Sequence, residues 1–334
     1  SELAPRRPNS ELGRTIRGSL LVAPGLLHRH GQAVLPRPGG DRIGRRRIDT
    51  HLHALRLLGA EVETRERHYH ITLKSRFRGT DIFFDEASVM ATENAVMAAC
   101  VAEGHTSISN AASEPHIQGL CRYLNAMGAK ISGIGTNRLD VDGVAELEPA
   151  AHRLGPDHIE IGSFVAIAAM TGGELEVAGI VPDDLRMILL VFRRLGVETH
   201  IEGDLLRVPA KQELCIQDDL DGAIPKVDAA PWPGFPTDLT SIALVLATQA
   251  RGTVLIHEKM FENRLFFLDR LIPMGARIVL CDPHRAVVTG PTRLQGETIT
   301  SPDIRAGMAL VAAALCAEGR SVIQNAHQID RGYE

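Results

Sequence analysis

Two aspartates and a set of arginines carry the chemistry this chain can offer. Asp238 follows Phe235-Pro236-Thr237 and precedes apolar residues at helical spacing, so it opens a helix with its carboxylate near positive backbone N–H groups. That placement favours the ionised form, which is structurally useful at any helix start and is also the form that accepts a proton. Asp41 follows Gly39-Gly40 in PGGDRIGRRRIDTHL (Pro38–Leu52). An aspartate there either makes an Asx turn or acts as an acid, since a carboxyl group donates a proton at neutral pH where burial or a neighbouring anion raises its pKa. Arg17, Arg46, Arg305 and Arg331 each present a planar fork of donors that matches a carboxylate or phosphate. An isolated Arg17 reads as a solvated charge, Arg331 within an intact DRGYE does not, and Arg264 in FENR (Phe261–Arg264) reads equally as the group that holds its own loop together.

Other chemistries find no support. The fourteen histidines give no HExxH or similar metal spacing, and His51 and His53 read as surface or structural. Neither G-x-G-x-x-G nor a P-loop occurs, which argues against a nicotinamide or ATP enzyme, and no cofactor is expected. Five scattered cysteines contain no CxxC pair; Cys100 and Cys316 lie in Ala-rich helical stretches as buried free thiols, a pattern that suits a reducing cytoplasm. A net charge of −5 argues against nucleic acid but not against an anionic small ligand at a local arginine cluster. No apolar run approaches the roughly 20 residues of a membrane span. Monomer or weak homo-oligomer is the expected state.

The elements that must position these residues form a repeat. LRLLGAEVETRERHYHITL, CRYLNAMGAKISGIGTNRLDVDG, VFRRLGVETHIEGDLLRVP and LIPMGARIVLCDPHRAVVTG share a helix that ends in glycine, then two strands. The glycines, Gly59, Gly128, Gly196 and Gly275, recur about every 70 to 80 residues and fit the left-handed position after a helix. Between them, AVMAACVAEGHTSISNA, FVAIAAMTGGELEVAG, IALVLATQARGTVLIHE and MALVAAALCAEGRSVIQNA each read as an apolar helix, a glycine turn and a strand. From Asp238 into the third, Leu239, Ile242 and Leu246 share one face. Each unit is therefore helix, strand, helix, strand, strand, an α/β (α+β) repeat whose helices cover a sheet. The chain is long enough for two cores. It starts with Ser rather than Met and opens and closes inside a repeat, so a fragment is expected.

PGGDRIGRRRIDTHL, APWPGFPTD (Ala230–Asp238), FENR and DRGYE (Asp330–Glu334), with weaker support from NAASEP (Asn110–Pro115) and SPDIRA (Ser301–Ala306), resemble enolpyruvyl transferases of the UDP-N-acetylglucosamine 1-carboxyvinyltransferase family. The similarity runs in order from about Arg14 to the last residue. It implies an inside-out α/β barrel, two domains of repeated βαβαββ units, with a boundary at 136/137, the glycine-rich lid loop in the first domain and the active site in the cleft between. It implies transfer of enolpyruvyl from phosphoenolpyruvate to the 3′-hydroxyl of UDP-N-acetylglucosamine, the first committed step of peptidoglycan synthesis, in the cytoplasm and without nucleic acid or membrane as partner. By the same resemblance, Asp238 is the base and Asp41, standing where most members have cysteine, is the acid. An aspartate cannot form that cysteine's adduct with phosphoenolpyruvate or be alkylated by fosfomycin.

Arg46, Arg305 and Arg331 would surround phosphoenolpyruvate, with Arg331 counted among the catalytic groups, and Arg17 would approach the nucleotide. Arg46-Arg47-Ile48-Asp49-Thr50, Glu86-Ala87-Ser88-Val89 and Met260 match sugar-nucleotide contacts, although ordinary packing explains Ala87, Val89 and Met260 equally well. Glu86 replaces an expected lysine. The family's first repeat also carries a Lys-Asn turn that grips the phosphate of phosphoenolpyruvate, and no such turn occurs in this sequence. Transfer to another nucleotide acceptor, or a non-catalytic binding protein, are the alternatives.

Overall fold

The computed structural model describes residues 9–333 and divides into two units. The first holds the described residues through Gly40 together with Arg46–Gly155; the second holds Asp41–Arg45 and the described residues from Pro156 onward. The division differs from the expected one in two ways. Strand pairing moves the boundary from 136/137 to 155/156, because the strand Arg138–Asp142 pairs with His105–Ser109 and with Lys130–Ser132. The loop segment Asp41–Arg45 belongs with the second unit, where the Asn263 N–H and the Glu262 carboxylate hold it.

The first unit runs α1 (Ser10–Gly13), a 3-10 segment (Arg17–Val22), α2 (Ala23–His30), β1 (Gln32–Pro36), α3 (Asp49–Leu57), β2 (Glu61–Arg65), β3 (His68–Thr72), β4 (Asp81–Phe83), α4 (Val89–Ala99), β5 (His105–Ser109), α5 (Pro115–Ala126), β6 (Lys130–Ser132) and β7 (Arg138–Asp142). Its sheets are β1-β3-β2 and β4-β5-β7-β6.

The second unit runs α6 (His158–Thr171), β8 (Leu175–Ala178), α7 (Pro182–Arg194), β9 (His200–Glu202), β10 (Leu205–Val208), β11 (Lys226–Asp228), a 3-10 turn (Thr237–Leu239), α8 (Thr240–Gln249), β12 (Gly252–His257), α9 (Leu268–Leu271), β13 (Arg277–Asp282), β14 (Arg285–Gly290), β15 (Thr298–Thr300), α10 (Ile304–Cys316) and β16 (Val322–Gln324). Its sheets are β8-β10-β9, β11-β12-β14-β13 and β15-β16.

The order helix, strand, helix, strand, strand recurs as α2-β1-α3-β2-β3, α4-β5-α5-β6-β7, α6-β8-α7-β9-β10 and α8-β12-α9-β13-β14. Gly59, Gly128, Gly196 and Gly275 all have positive φ, from 95° to 104°, so the shared glycine is the residue that lets each chain leave its helix. Three short strands extend the pattern. β4, β11 and β15 each precede an apolar helix and lie parallel to the strand that follows it, which completes βαβαββ in the two full cases.

The apolar helices are interior. Every residue of α8 from Thr240 to Thr248 is buried, against α6, α10, β12 and β14. The single face marked by Leu239, Ile242 and Leu246 is thus only part of the contact, because helices and sheet enclose α8 on all sides. Small residues allow the crowding: a Cβ added at Gly162 of α6 would lie 2.7 Å from Leu239 Cδ1. Among the described residues no helix is long and apolar enough to cross a membrane.

Candidate active site

In the second unit, Asp238 lies in the 3-10 turn that leads into α8. Its Oδ1 accepts from Arg264 Nη2 at 2.7 Å and its Oδ2 from Arg305 Nε at 3.0 Å. Burial opposes the charge, but the two guanidiniums outweigh it and hold the carboxyl below its ordinary range. A third of the Asp238 side chain stays exposed.

Each arginine is itself fixed. Arg264 has 2% of its side chain exposed and lies over the Phe261 ring, 5.5 Å from its centroid. Arg305 stands in the first turn of α10, where Asp303 caps the helix by accepting from the N–H groups of Arg305 and Ala306. Its guanidinium lies 5.2 Å from the Tyr333 ring centroid and donates to the Gly332 carbonyl. Tyr333 in turn meets Ser163 of α6 through its hydroxyl at 3.0 Å. Burial works against the Arg305 charge, and the Asp238 carboxylate overrides it, so the group is held more firmly protonated than an ordinary arginine.

Arg331 forms a longer ion pair with Asp41, 3.8 Å from Nη1 to Oδ1. The second unit therefore gathers Asp41, Asp238, Arg264, Arg305 and Arg331 on side chains that touch in two groups, Asp238–Arg264–Arg305 and Asp41–Arg331. Met260 lies beside them in sequence, and its backbone N–H donates to Glu258. Glu334 of DRGYE is outside the described residues.

In the first unit, Arg17 opens the 3-10 segment and donates to the carbonyls of Arg46 and Arg47. Burial, then the neighbouring Arg46, lower its pKa to about 10, an environment in which an anion would be welcome. Arg47 pairs with Asp85 and Asp49, Ile48 precedes α3, and Asp49 is its first residue. Thr50 Oγ1 donates to Glu86 Oε1 at 3.1 Å, so the carboxylate that replaces the expected lysine is taken up inside the unit. Ser88 is the N-cap of α4, yet its hydroxyl makes no capping bond, which leaves the first-turn N–H groups without that partner; Ala87 precedes it and Val89 begins the helix. His51 is buried rather than on the surface. It bonds Asn94, and burial followed by Arg17 lowers its pKa to about 3, which makes it a neutral packing group.

The EPSP synthase (3-phosphoshikimate 1-carboxyvinyltransferase) family model matches residues 7–334. The UDP-N-acetylglucosamine 1-carboxyvinyltransferase of Treponema denticola is 59% identical over 324 residues, which cover 97% of this chain and 76% of that protein. Its counterpart in Bradyrhizobium diazoefficiens is 55% identical over 325 residues, covering 97% and 75%. The chain belongs to the UDP-N-acetylglucosamine 1-carboxyvinyltransferase family. Among solved structures, the enolpyruvyl transferase NikO from Streptomyces tendae superposes with a TM-score of 0.84 at 23% identity, covering 97% of this chain and 75% of that one. EPSP synthase from Acinetobacter baumannii gives 0.67 at 19% identity, covering 94% and 74%, and both confirm the enolpyruvyl-transferase fold.

For a carboxyvinyltransferase of this family, the residue that sequence reading missed is Glu258. It is fully buried, and its carboxylate accepts from Thr237 Oγ1 and from the N–H groups of Met260 and Phe261. One side chain thus fixes both the turn that carries Asp238 and the segment around Met260. A signal was present: Val254, Ile256 and Glu258 alternate on one face, and a charge that continues a buried face needs partners.

Proposed function

We infer that the protein transfers the enolpyruvyl group of phosphoenolpyruvate to the 3′-hydroxyl of UDP-N-acetylglucosamine and releases phosphate. The observation that carries this reading is the Asp238 carboxylate, on a side chain one third exposed and held in place by two largely buried arginines. Asp238 takes the proton of the attacking hydroxyl as its oxygen bonds to C2 of phosphoenolpyruvate. Asp41 delivers a proton to the C3 methylene, which becomes a methyl group. Asp41, left ionised, then takes back one methyl proton as phosphate leaves C2, which restores the double bond, and Asp238 passes the hydroxyl proton to the departing phosphate.

Two guanidiniums make Asp238 a weak base. A phosphoenolpyruvate anion that engages Arg305 would draw away part of that positive field and strengthen the base when substrate is present. Arg46, Arg305 and Arg331 supply charge for the carboxylate and phosphate of phosphoenolpyruvate. Arg17, Arg46, Arg47, Ile48, Asp49 and Thr50, with Glu86, Ala87, Ser88, Val89 and Met260, supply the sugar-nucleotide contacts, Ser88 at a helix N-terminus suited to an anion.

The test is phosphate release from phosphoenolpyruvate with and without UDP-N-acetylglucosamine. Release that requires the sugar nucleotide supports the reading; equal release without it would sink the assignment.

A further inference from the structure

The tetrapeptide Phe261–Arg264 contacts the loop and the base through neighbouring residues. Arg264 grips Asp238. The N–H of Asn263 donates to the Ile43 carbonyl at 3.0 Å, and Ile43 is itself buried. The carboxylate of Glu262 accepts from the N–H of Arg45 at 3.1 Å. Gly44, between those two contacts, has φ 133°, and a Cβ added there would lie 2.2 Å from Glu262 Oε2 and 3.0 Å from the Glu262 backbone nitrogen. Only glycine allows the loop to seat this closely and in this conformation.

We propose that Glu262 is a positioning residue: its carboxylate clamps the loop through Arg45 and so holds Asp41 in register with the Asp238 that the adjoining Arg264 fixes. The geometry is specific to this end. Asp41 stands two residues before Ile43, so the clamp at Ile43 and Arg45 leaves little backbone freedom between the acid and its anchor. The Glu262 carboxyl is held below its ordinary range by its own backbone N–H and then by that of Arg45, so it remains the ionised acceptor the clamp needs at neutral pH. Glu262 has no part in proton transfer. It acts through the loop.

The proposal rests on the function inferred above, and its test separates the two. Trypsin cleaves after Arg42 and Arg45 only when the loop lifts from its seat, which reads the clamp without any turnover. Glu262→Ala is expected to speed that cleavage about tenfold or more and to lower kcat by roughly 10- to 100-fold. KM for the sugar nucleotide should stay within about threefold and Tm nearly unchanged, a split that a general structural defect would not give. Glu262→Gln, which keeps an acceptor oxygen, should recover most of both effects, while Gly44→Ala should reproduce them by steric exclusion. Unchanged proteolysis in Glu262→Ala overturns the clamp, and faster proteolysis with unchanged kcat overturns its role in register. If the unsubstituted protein releases no phosphate, the functional reading falls and the proteolysis comparison still decides the clamp.

Discussion

Arg264, almost wholly buried, donates through Nη2 to Oδ1 of Asp238 at 2.7 Å. A guanidinium in that position needs its carboxylate, and the carboxylate needs it to stay aimed at one place. Truncation leaves a cavity and an acid with one partner. Arg264→Ala is expected to destabilise the protein by about 2–3 kcal/mol, short of the full value for a buried pair because Asp238 keeps a third of its side chain in solvent. Phosphate release should fall by at least about tenfold. Arg264→Lys should recover less than half of either loss, since an ammonium cannot reproduce the fork over Phe261. Denaturant titration and steady-state kinetics on the two variants check this, and wild-type values for Arg264→Ala would assign the arginine to packing alone.

The place proposed for Asp41 carries a consequence for covalent inhibitors. A carboxylate lacks the thiolate that opens the epoxide of fosfomycin, so the unsubstituted protein should keep its activity after incubation with the drug. Asp41→Cys should lose activity with time and gain the mass of one drug molecule at residue 41. Comparable inhibition of both proteins would remove Asp41 from the position assigned to it.

Glu93 on α4 gives a pH signature for the fold. Burial, then the nearby Glu114, raise its pKa from the ordinary 4.5 to about 7. Between those values the folded protein holds a proton that the unfolded chain has lost. The stability contributed by the neutral acid is therefore complete below about pH 4.5 and is lost as pH rises through about 7. Glu93→Gln removes the dependence, and relative to wild type it should gain about 2 kcal/mol between pH 5 and pH 8, allowing for partial exposure. His51 titrates with the opposite sign between 6.5 and about 3, but it is common to both proteins and cancels in the difference. Parallel stability curves would show that another group titrates.

The repeat was legible because one backbone requirement left a mark in residue type: a left-handed turn after a helix calls for glycine, and Gly59, Gly128, Gly196 and Gly275 all supply it. Asp238, Arg305 and Arg331 were singled out by motif resemblance, but their contacts were not legible, because Asp238 meets Arg264 26 residues away and Arg305 67 residues away. β4, β11 and β15 are only three residues long, too short to show alternation. The loop's placement escaped for a similar reason. Asp41–Arg45 lies within the first unit's stretch of sequence but is held by the Glu262 carboxylate and the Asn263 N–H, and a partner 217 residues along the chain leaves no local pattern.

The enclosure of α8 on every side bears on how the two halves of the chemistry differ in motion. Asp238 immediately precedes that helix, and Arg305 stands in the first turn of α10, which packs against it. Amide protons in such helices exchange with solvent only through large-scale opening, so the carboxylate proposed as the base adjoins slowly exchanging backbone. Asp41 stands instead after two glycines, on a loop seated by the Glu262 carboxylate and the Asn263 N–H rather than by a helix. The two carboxylates proposed for the reaction thus rest on backbone of different kinds, one leading into a buried helix and one on a loop that a few hydrogen bonds seat.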